Sequence, residues 1–176
     1  MFSRRLVISS TDGPTLQHIE RSCQVACTFL PAALCDPGKI QPRNWRAWLR
    51  CDPPFDRHPT PRRGFVAYEH SDILGFVACM HDSLFGGFRA DIAGLYVLPK
   101  YRREGIGTVL LVKAAQWLQE DGIDRATASC YARDPGRGFF DRMGGVAIAA
   151  TQEDSDPAGI ITFGFVNVKQ LAARAV

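Results

Sequence analysis

No apolar run in this 176-residue chain approaches the ~18 residues that a membrane-crossing helix requires; even 92–98, one of the longest, stops far short, so no membrane partner is expected. The first ten residues carry Arg4-Arg5 with no apolar stretch behind them, so a secretory leader is not expected and the cytoplasm is the anticipated location. A C-x-x-C pair is also missing. Cys23, Cys27, Cys35, Cys51, Cys79 and Cys130 are scattered without a C-x-x-C spacing, so neither a metal site nor a disulfide framework is expected. Cys79 and Cys130 fall in strand-like runs, where a thiol serves as a small buried apolar group. Repeats and low-complexity tracts are absent as well, and residues 1–176 read as one domain.

A dense basic stripe is lacking. Residues 1–63 hold ten Lys/Arg against five Asp/Glu and the remainder eleven against thirteen, but the arginines are interrupted by Asp52, Asp56 and prolines, so nucleic acid is not expected as a partner. A modest positive surplus suits a small, highly phosphorylated ligand instead. With 46% hydrophobic and 22% charged residues the chain should fold around a core.

What the sequence does contain is a change of period along its length. Residues 5–9 predict a short strand. Leu16, Ile19, Cys23, Ala26, Cys27 and Leu30 recur at helical steps up to Pro31, and Pro42 opens a second short helix carrying Trp45, Trp48 and Leu49. After a proline-rich connection, 64–70 and 73–81 predict a hairpin, and 89–98 a third antiparallel strand ending at Pro99. Ile106, Val109, Leu110, Ala114, Trp117 and Leu118 then mark the inward face of a helix over 105–120. A strand over 125–131, a short helix over 135–143 and a strand pair over 146–150 and 160–166 complete the pattern. Crossover helices between strands demand some parallel pairing, so the class is a mixed α+β sheet with helices on its faces.

The informative stretch joins the third of those antiparallel runs to the long helix: Leu95-Tyr96-Val97-Leu98-Pro99-Lys100-Tyr101-Arg102-Arg103-Glu104-Gly105-Ile106-Gly107-Thr108. Gly105 and Gly107 let helix-start N–H groups approach a ligand closely, and those donors have no intrahelical partner. The helix dipole and the charges of Lys100, Arg102 and Arg103 act at the same end, which suits a pyrophosphate. No lysine follows Gly107, so this is no Walker loop, and Leu110 stands where a dinucleotide fingerprint needs its third glycine. Alone, the two glycines fit a tight strand-to-helix turn equally well.

With its flanks, the stretch resembles the signature Arg/Gln-x-x-Gly-x-Gly/Ala of the GCN5-related N-acetyltransferase (GNAT) superfamily, matched by Arg102-Arg103-Glu104-Gly105-Ile106-Gly107. Leu95 to Tyr101 is similar to the approach to that loop, and Gly138-Phe139-Phe140-Asp141-Arg142-Met143-Gly144-Gly145 to the family's late helix and exit. The likeness covers about residues 64–166. It implies a mostly antiparallel mixed sheet of about seven strands, helices on both faces, and a fourth and fifth strand that splay apart. It also implies acetyl-CoA as acyl donor, with no metal. Pantetheine would pair with backbone freed near Leu95, Tyr96 and Val97, pyrophosphate would sit on Arg102 through Thr108, and the Val97 N–H would face the acetyl oxygen.

Attack by an amine on a thioester needs the amine neutral, hence a base or a water chain. Asp91, four residues before Leu95, stands where several family members carry a catalytic carboxylate; a solvated strand charge is the other reading, and Glu69 and His81 are weaker candidates for the base. The family often places a proton-donating tyrosine where this chain has Phe140, which leaves Tyr131 or Cys130 as donor, or no side chain at all. Arg133 replaces a frequent asparagine and is either a contact to CoA phosphate or solvated. Phe140 and Arg133 thus complete the set of cofactor-lining positions the resemblance implies. His18 and His58 have no metal-like spacing, and Trp45, Trp48, Phe85 and Phe88 are core or acceptor-pocket residues. The function expected is acetyl transfer to a primary amine of a small molecule or peptide, with a homodimer compatible. The alternative is a CoA-binding sensor without turnover.

Overall fold

The computed structural model describes residues 7–10, 60–70, 72–132, 134, 136–153 and 156–174. The helix expected up to Pro31 with His18, the short helix expected from Pro42 with Trp45 and Trp48, and the connection with His58 lie outside the described residues, as does Arg133. Strands β1 (Val7–Ser10), β2 (Arg62–Glu69), β3 (Asp72–Met80) and β4 (Ala90–Val97) come first. Helix α1 (Ile106–Glu120), β5 (Ala126–Tyr131) and α2 (Arg137–Arg142) follow, then β6 (Val146–Glu153), β7 (Asp156–Phe165) and α3 (Val168–Ala172). The short helix α3 and the 3-10 turn Pro99–Tyr101 were not expected from the sequence.

The strands form one seven-stranded sheet in the order β1-β2-β3-β4-β5-β7-β6. Every neighbouring pair is antiparallel except β4 and β5, which are parallel because α1 carries the chain back across the sheet between them. Gly75 permits the tight β3–β4 approach: a Cβ there would lie 2.5 Å from the Tyr96 carbonyl oxygen.

Pleating sorts the strand residues between two faces. Val77, Cys79, Ala90, Ile92, Ala126, Ala128, Phe163 and Phe165 join α1 and Phe140 in the core. Val66, Phe76, Ala78, Asp91, Thr127 and Thr162 alternate with them and belong to the opposite face. On the core side Phe140 stacks on Phe163 at 5.4 Å between ring centroids and meets Phe165 edge-on at 6.4 Å. Such pairs contribute about 0.5–1.5 kcal/mol each beyond the area they bury.

Helix α1 is buried around more of its circumference than the expected stripe. Leu111, Val112 and Ala115 are covered as well as Ile106, Leu110, Ala114, Trp117 and Leu118, whereas Val109 is only half-buried. Helix α3 packs against α1: its Val168, Leu171 and Ala172 are buried, and the Ala172 carbonyl accepts from Gln116 Nε2 at 3.4 Å.

Candidate active site

The site begins where two strands stop pairing. β4 and β5 are in register at Ala90 with Ala126, Asp91 with Thr127 and Ile92 with Ala128, and no pair follows. Each strand nevertheless continues on its outer side, β4 to Val97 opposite Gly75 and β5 to Tyr131 opposite Ile160. A cleft therefore opens between 93–97 and 129–131. An irregularity accompanies the parting: between Ala78 and Met80, β3 supplies only Cys79, where β4 supplies Ile92 and Ala93 between Asp91 and Gly94. An extra residue of this kind bends its strand and raises the local twist.

Backbone direction in the cleft follows from one hydrogen bond. The Leu98 N–H donates to the Leu74 carbonyl at 2.9 Å, so Leu98 and Tyr96 direct their main-chain groups toward β3. Leu95 and Val97, alternating with them, turn their N–H and C=O groups into the cleft. Buried amides left unmade are costly, so such a slot suits a ligand carrying amides of its own.

At the end of β4 the chain turns through Pro99–Tyr101 and coils, with φ of 68° at Arg103 and 84° at Gly105. The coil presents the start of α1 uncapped: Gly105 supplies no side-chain cap, and the first helical bond described there is from the Val109 N–H to the Gly105 carbonyl at 3.1 Å. The N–H groups of Ile106, Gly107 and Thr108 thus face outward with the positive end of the helix dipole. Arg102 and Arg103 are exposed beside them, and Glu104 lies at the exposed tip of the turn. Arg102 lies over the Tyr96 ring at 5.5 Å, so Tyr96 contributes its ring as a support. Ile106 offers only main chain because its side chain is buried, and the Thr108 hydroxyl is turned toward the Met143 sulfur at 3.9 Å.

Asp91 sits at the closed end of the cleft. The Thr127 hydroxyl donates to Asp91 Oδ1 at 2.7 Å. Burial pushes the Asp91 carboxyl up to about 6, the Thr127 hydrogen bond partly offsets this, and the nearby Asp82 adds to the rise. His81 is held elsewhere, with its Nε2 3.0 Å from Asp121 Oδ2 and its ring stacked on Trp117 at 4.5 Å. Glu69 ends β2 opposite Asp72. Among the three carboxylate and imidazole candidates, Asp91 is the one on β4 where the two strands begin to part.

The two adjacent aromatics of α2 have different surroundings. Phe140 is only 7% exposed and its ring is engaged by Phe163 and Phe165 in the core. The ring beside the glycine turn belongs to Phe139: a Cβ on Gly107 would lie 3.5 Å from Phe139 Cε2 and 3.7 Å from Val97 Cγ2. Adjacent aromatics on a one-and-a-half-turn helix face different ways, and the sequence alone does not say which of them meets the loop. Tyr131 is half-buried at the end of β5, past the last β4–β5 pair, and burial raises the neighbouring Cys130 thiol to about 11. Sequence reasoning also missed Ser83 and Thr127, because a serine in a turn and a threonine within a strand carry no signal until register brings them together.

The slot lined by Leu95 and Val97, continuous with an uncapped helix start and arginines, fits an elongated ligand with amides at one end and phosphates at the other. The model of the Acetyltransferase (GNAT) family matches residues 30–145, and the chain belongs to that family of acyltransferases. No curated protein matches the chain significantly. Among solved structures, yncA from Salmonella typhimurium with its cofactor acetyl-CoA is similar with a TM-score of 0.68 at 16% identity, over 97% of this chain and 96% of that one. The PaiA N-acetyltransferase from Thermoplasma acidophilum in complex with coenzyme A gives 0.64 at 16% identity, over 90% and 97%. The ribosomal-protein-S18-alanine N-acetyltransferase from Escherichia coli gives 0.65 at 14% identity, over 92% and 94%. Among the described residues no helix is long and apolar enough to cross a membrane.

Proposed function

We propose that this protein transfers an acetyl group from acetyl-CoA directly to a primary amine of a small molecule or peptide. The observation that carries the proposal is the parting of β4 and β5 after Ile92 and Ala128, which turns the main-chain groups of Leu95 and Val97 into a slot leading to the start of α1. Acetyl-CoA would supply the activated thioester. Leu95 and Val97 would hold the amide-bearing arm, and the N–H groups of 106–108 with Arg102 and Arg103 would hold the phosphates. The Val97 N–H is the main-chain donor for the negative charge that develops on the acetyl oxygen. Asp91 would take the amine proton; a carboxyl near 6 is ionised at neutral pH and still basic enough for the task. Tyr131, at the end of β5, is the proposed donor to the leaving thiolate, which needs little assistance because its own pKa is already moderate.

The test is calorimetric titration with acetyl-CoA, desulfo-CoA and ATP, followed by thiol release with a panel of primary amines and peptides. Binding of the two CoA species but not ATP, with thiol release on at least one amine, is the expected result. No heat with acetyl-CoA would overturn the proposal at its first step.

A further inference from the structure

A chain of hydroxyls leads away from Asp91 and has no role in the scheme above. Thr127 is 1% exposed on β5, directly opposite Asp91 in the parallel register. Its Oγ1 lies 2.7 Å from Asp91 Oδ1, 3.3 Å from the Ala90 carbonyl and 2.9 Å from Ser83 Oγ. Ser83, in the turn after β3, in turn accepts from the Phe85 N–H at 3.2 Å. Thr127 has a single hydroxyl proton. An ionised carboxylate only accepts, and it is both nearer and more strongly basic than the Ala90 carbonyl, so that proton goes to Asp91. With the Thr127 proton committed, the Ser83–Thr127 contact requires Ser83 to donate. The order Ser83 to Thr127 to Asp91 is therefore fixed whenever Asp91 is charged.

We propose that Thr127 is a positioning residue for the base: by occupying Asp91 Oδ1 it holds the carboxylate and leaves Oδ2 to take the amine proton, while Ser83 holds the Thr127 hydroxyl in its donating orientation. Among the described residues Oδ2 has no hydrogen-bond partner, so the two oxygens are differentiated by Thr127. In the proton-transfer step an N–H bond of the amine breaks and an O–H bond forms at Oδ2, directly or through one water. Thr127 keeps its own proton throughout. The titratable groups that act electrostatically with Asp91 among the described residues are Asp82, after β3, and, from the core face of the sheet, the Cys79 thiol on β3, whose pKa burial raises so that it stays neutral. Neither makes a hydrogen bond to the carboxylate, so Thr127 is the group whose removal should change it most.

The inference rests on the acetyl-transfer proposal for its meaning, and its test separates the two. The full chain would be labelled with carbon-13 aspartate and the Asp91 carboxyl titrated by NMR, with Asp91→Asn identifying the signal. Thr127→Val removes a donor to the charged form, so the titration midpoint should rise by about one pH unit, a tenfold weaker acid. Thr127→Ser should restore it, and Ser83→Ala should raise it by less. A Thr127→Val midpoint equal to wild type, or no recovery in Thr127→Ser, would overturn the positioning role. Acetyl-CoA calorimetry on the same samples serves as the second arm. Unchanged affinity in Thr127→Val beside a raised midpoint supports the proposal and excludes a general collapse of the site. Failure of every variant and of wild type to bind acetyl-CoA would overturn the acetyl-transfer reading and with it the catalytic meaning of the pair.

Discussion

Arg102 Nε donates to the Val97 carbonyl oxygen at 3.0 Å, tying the coil before α1 to the last residue of β4. A carbonyl oxygen has two lone pairs, so this bond leaves Val97 able to accept from a ligand amide as well. One guanidinium thereby fixes the spacing between the slot and the helix start while presenting charge at the surface.

Replacing Arg102 by alanine should therefore weaken acetyl-CoA binding by about tenfold, on the order of 1.5 kcal/mol for a hydrogen bond to a charged group near water. Lysine should recover only part of this, since it keeps the charge and loses the planar fork. Calorimetry at two salt concentrations checks it. Equal affinity in wild type and Arg102→Ala would mean that Arg102 neither holds the coil nor meets phosphate.

The glycines of the coil make separable predictions. Gly105, at φ 84°, has open space where a Cβ would go, so Gly105→Ala should fold but lose about 1 kcal/mol to left-handed strain. Gly107 has room for a Cβ at ordinary contact distance from Phe139 and Val97, so Gly107→Ala should fold normally. Gly107→Trp, by contrast, should fill the approach to the free N–H groups and abolish acetyl-CoA binding with the fold retained. Thermal unfolding and calorimetry on the three variants separate strain from blockage; full affinity in Gly107→Trp would move the phosphate site elsewhere.

How much of this was readable in advance follows from where the information lies. The strand, turn and helix from 89 to 120 were legible because proline, glycine and a change of period from two to 3.6 are local signals. The pairing of Asp91 with Thr127 was not, because it depends on the register of two parallel strands 36 positions apart, set by the α1 crossover. The same holds for the order β5-β7-β6, and for the packing of α3 against α1.

Phe140 and Phe139 should part company under mutation. Phe140→Ala removes a ring stacked on Phe163 in the core and should cost about 3–5 kcal/mol of stability. Phe139→Ala, at a half-buried position beside Gly107, should cost less stability and act instead on cofactor affinity. Denaturant unfolding and acetyl-CoA titration of both variants decide it; equal stability losses would contradict the packing described.

Asp91 gives a pH dependence with a definite sign. Its carboxyl titrates at about 6 in the folded chain and near 3.9 when unfolded, so the folded state binds this proton more tightly. Linkage then makes its contribution to stability full below about pH 4, lost progressively as pH rises to about 6, and constant beyond. A rise of this size corresponds to roughly 3 kcal/mol at most. Asp91→Asn carries no such proton and keeps an oxygen for Thr127, so above pH 6 it should be more stable than wild type, and the difference should shrink toward pH 4. Acetyl transfer should run the other way, rising through pH 6 in wild type as the base ionises and falling to a small residue in Asp91→Asn. Thermal unfolding of both proteins across pH 4–8 measures the first effect. A stability difference independent of pH would mean that Asp91 is not the buried, poorly solvated carboxyl that the base role requires.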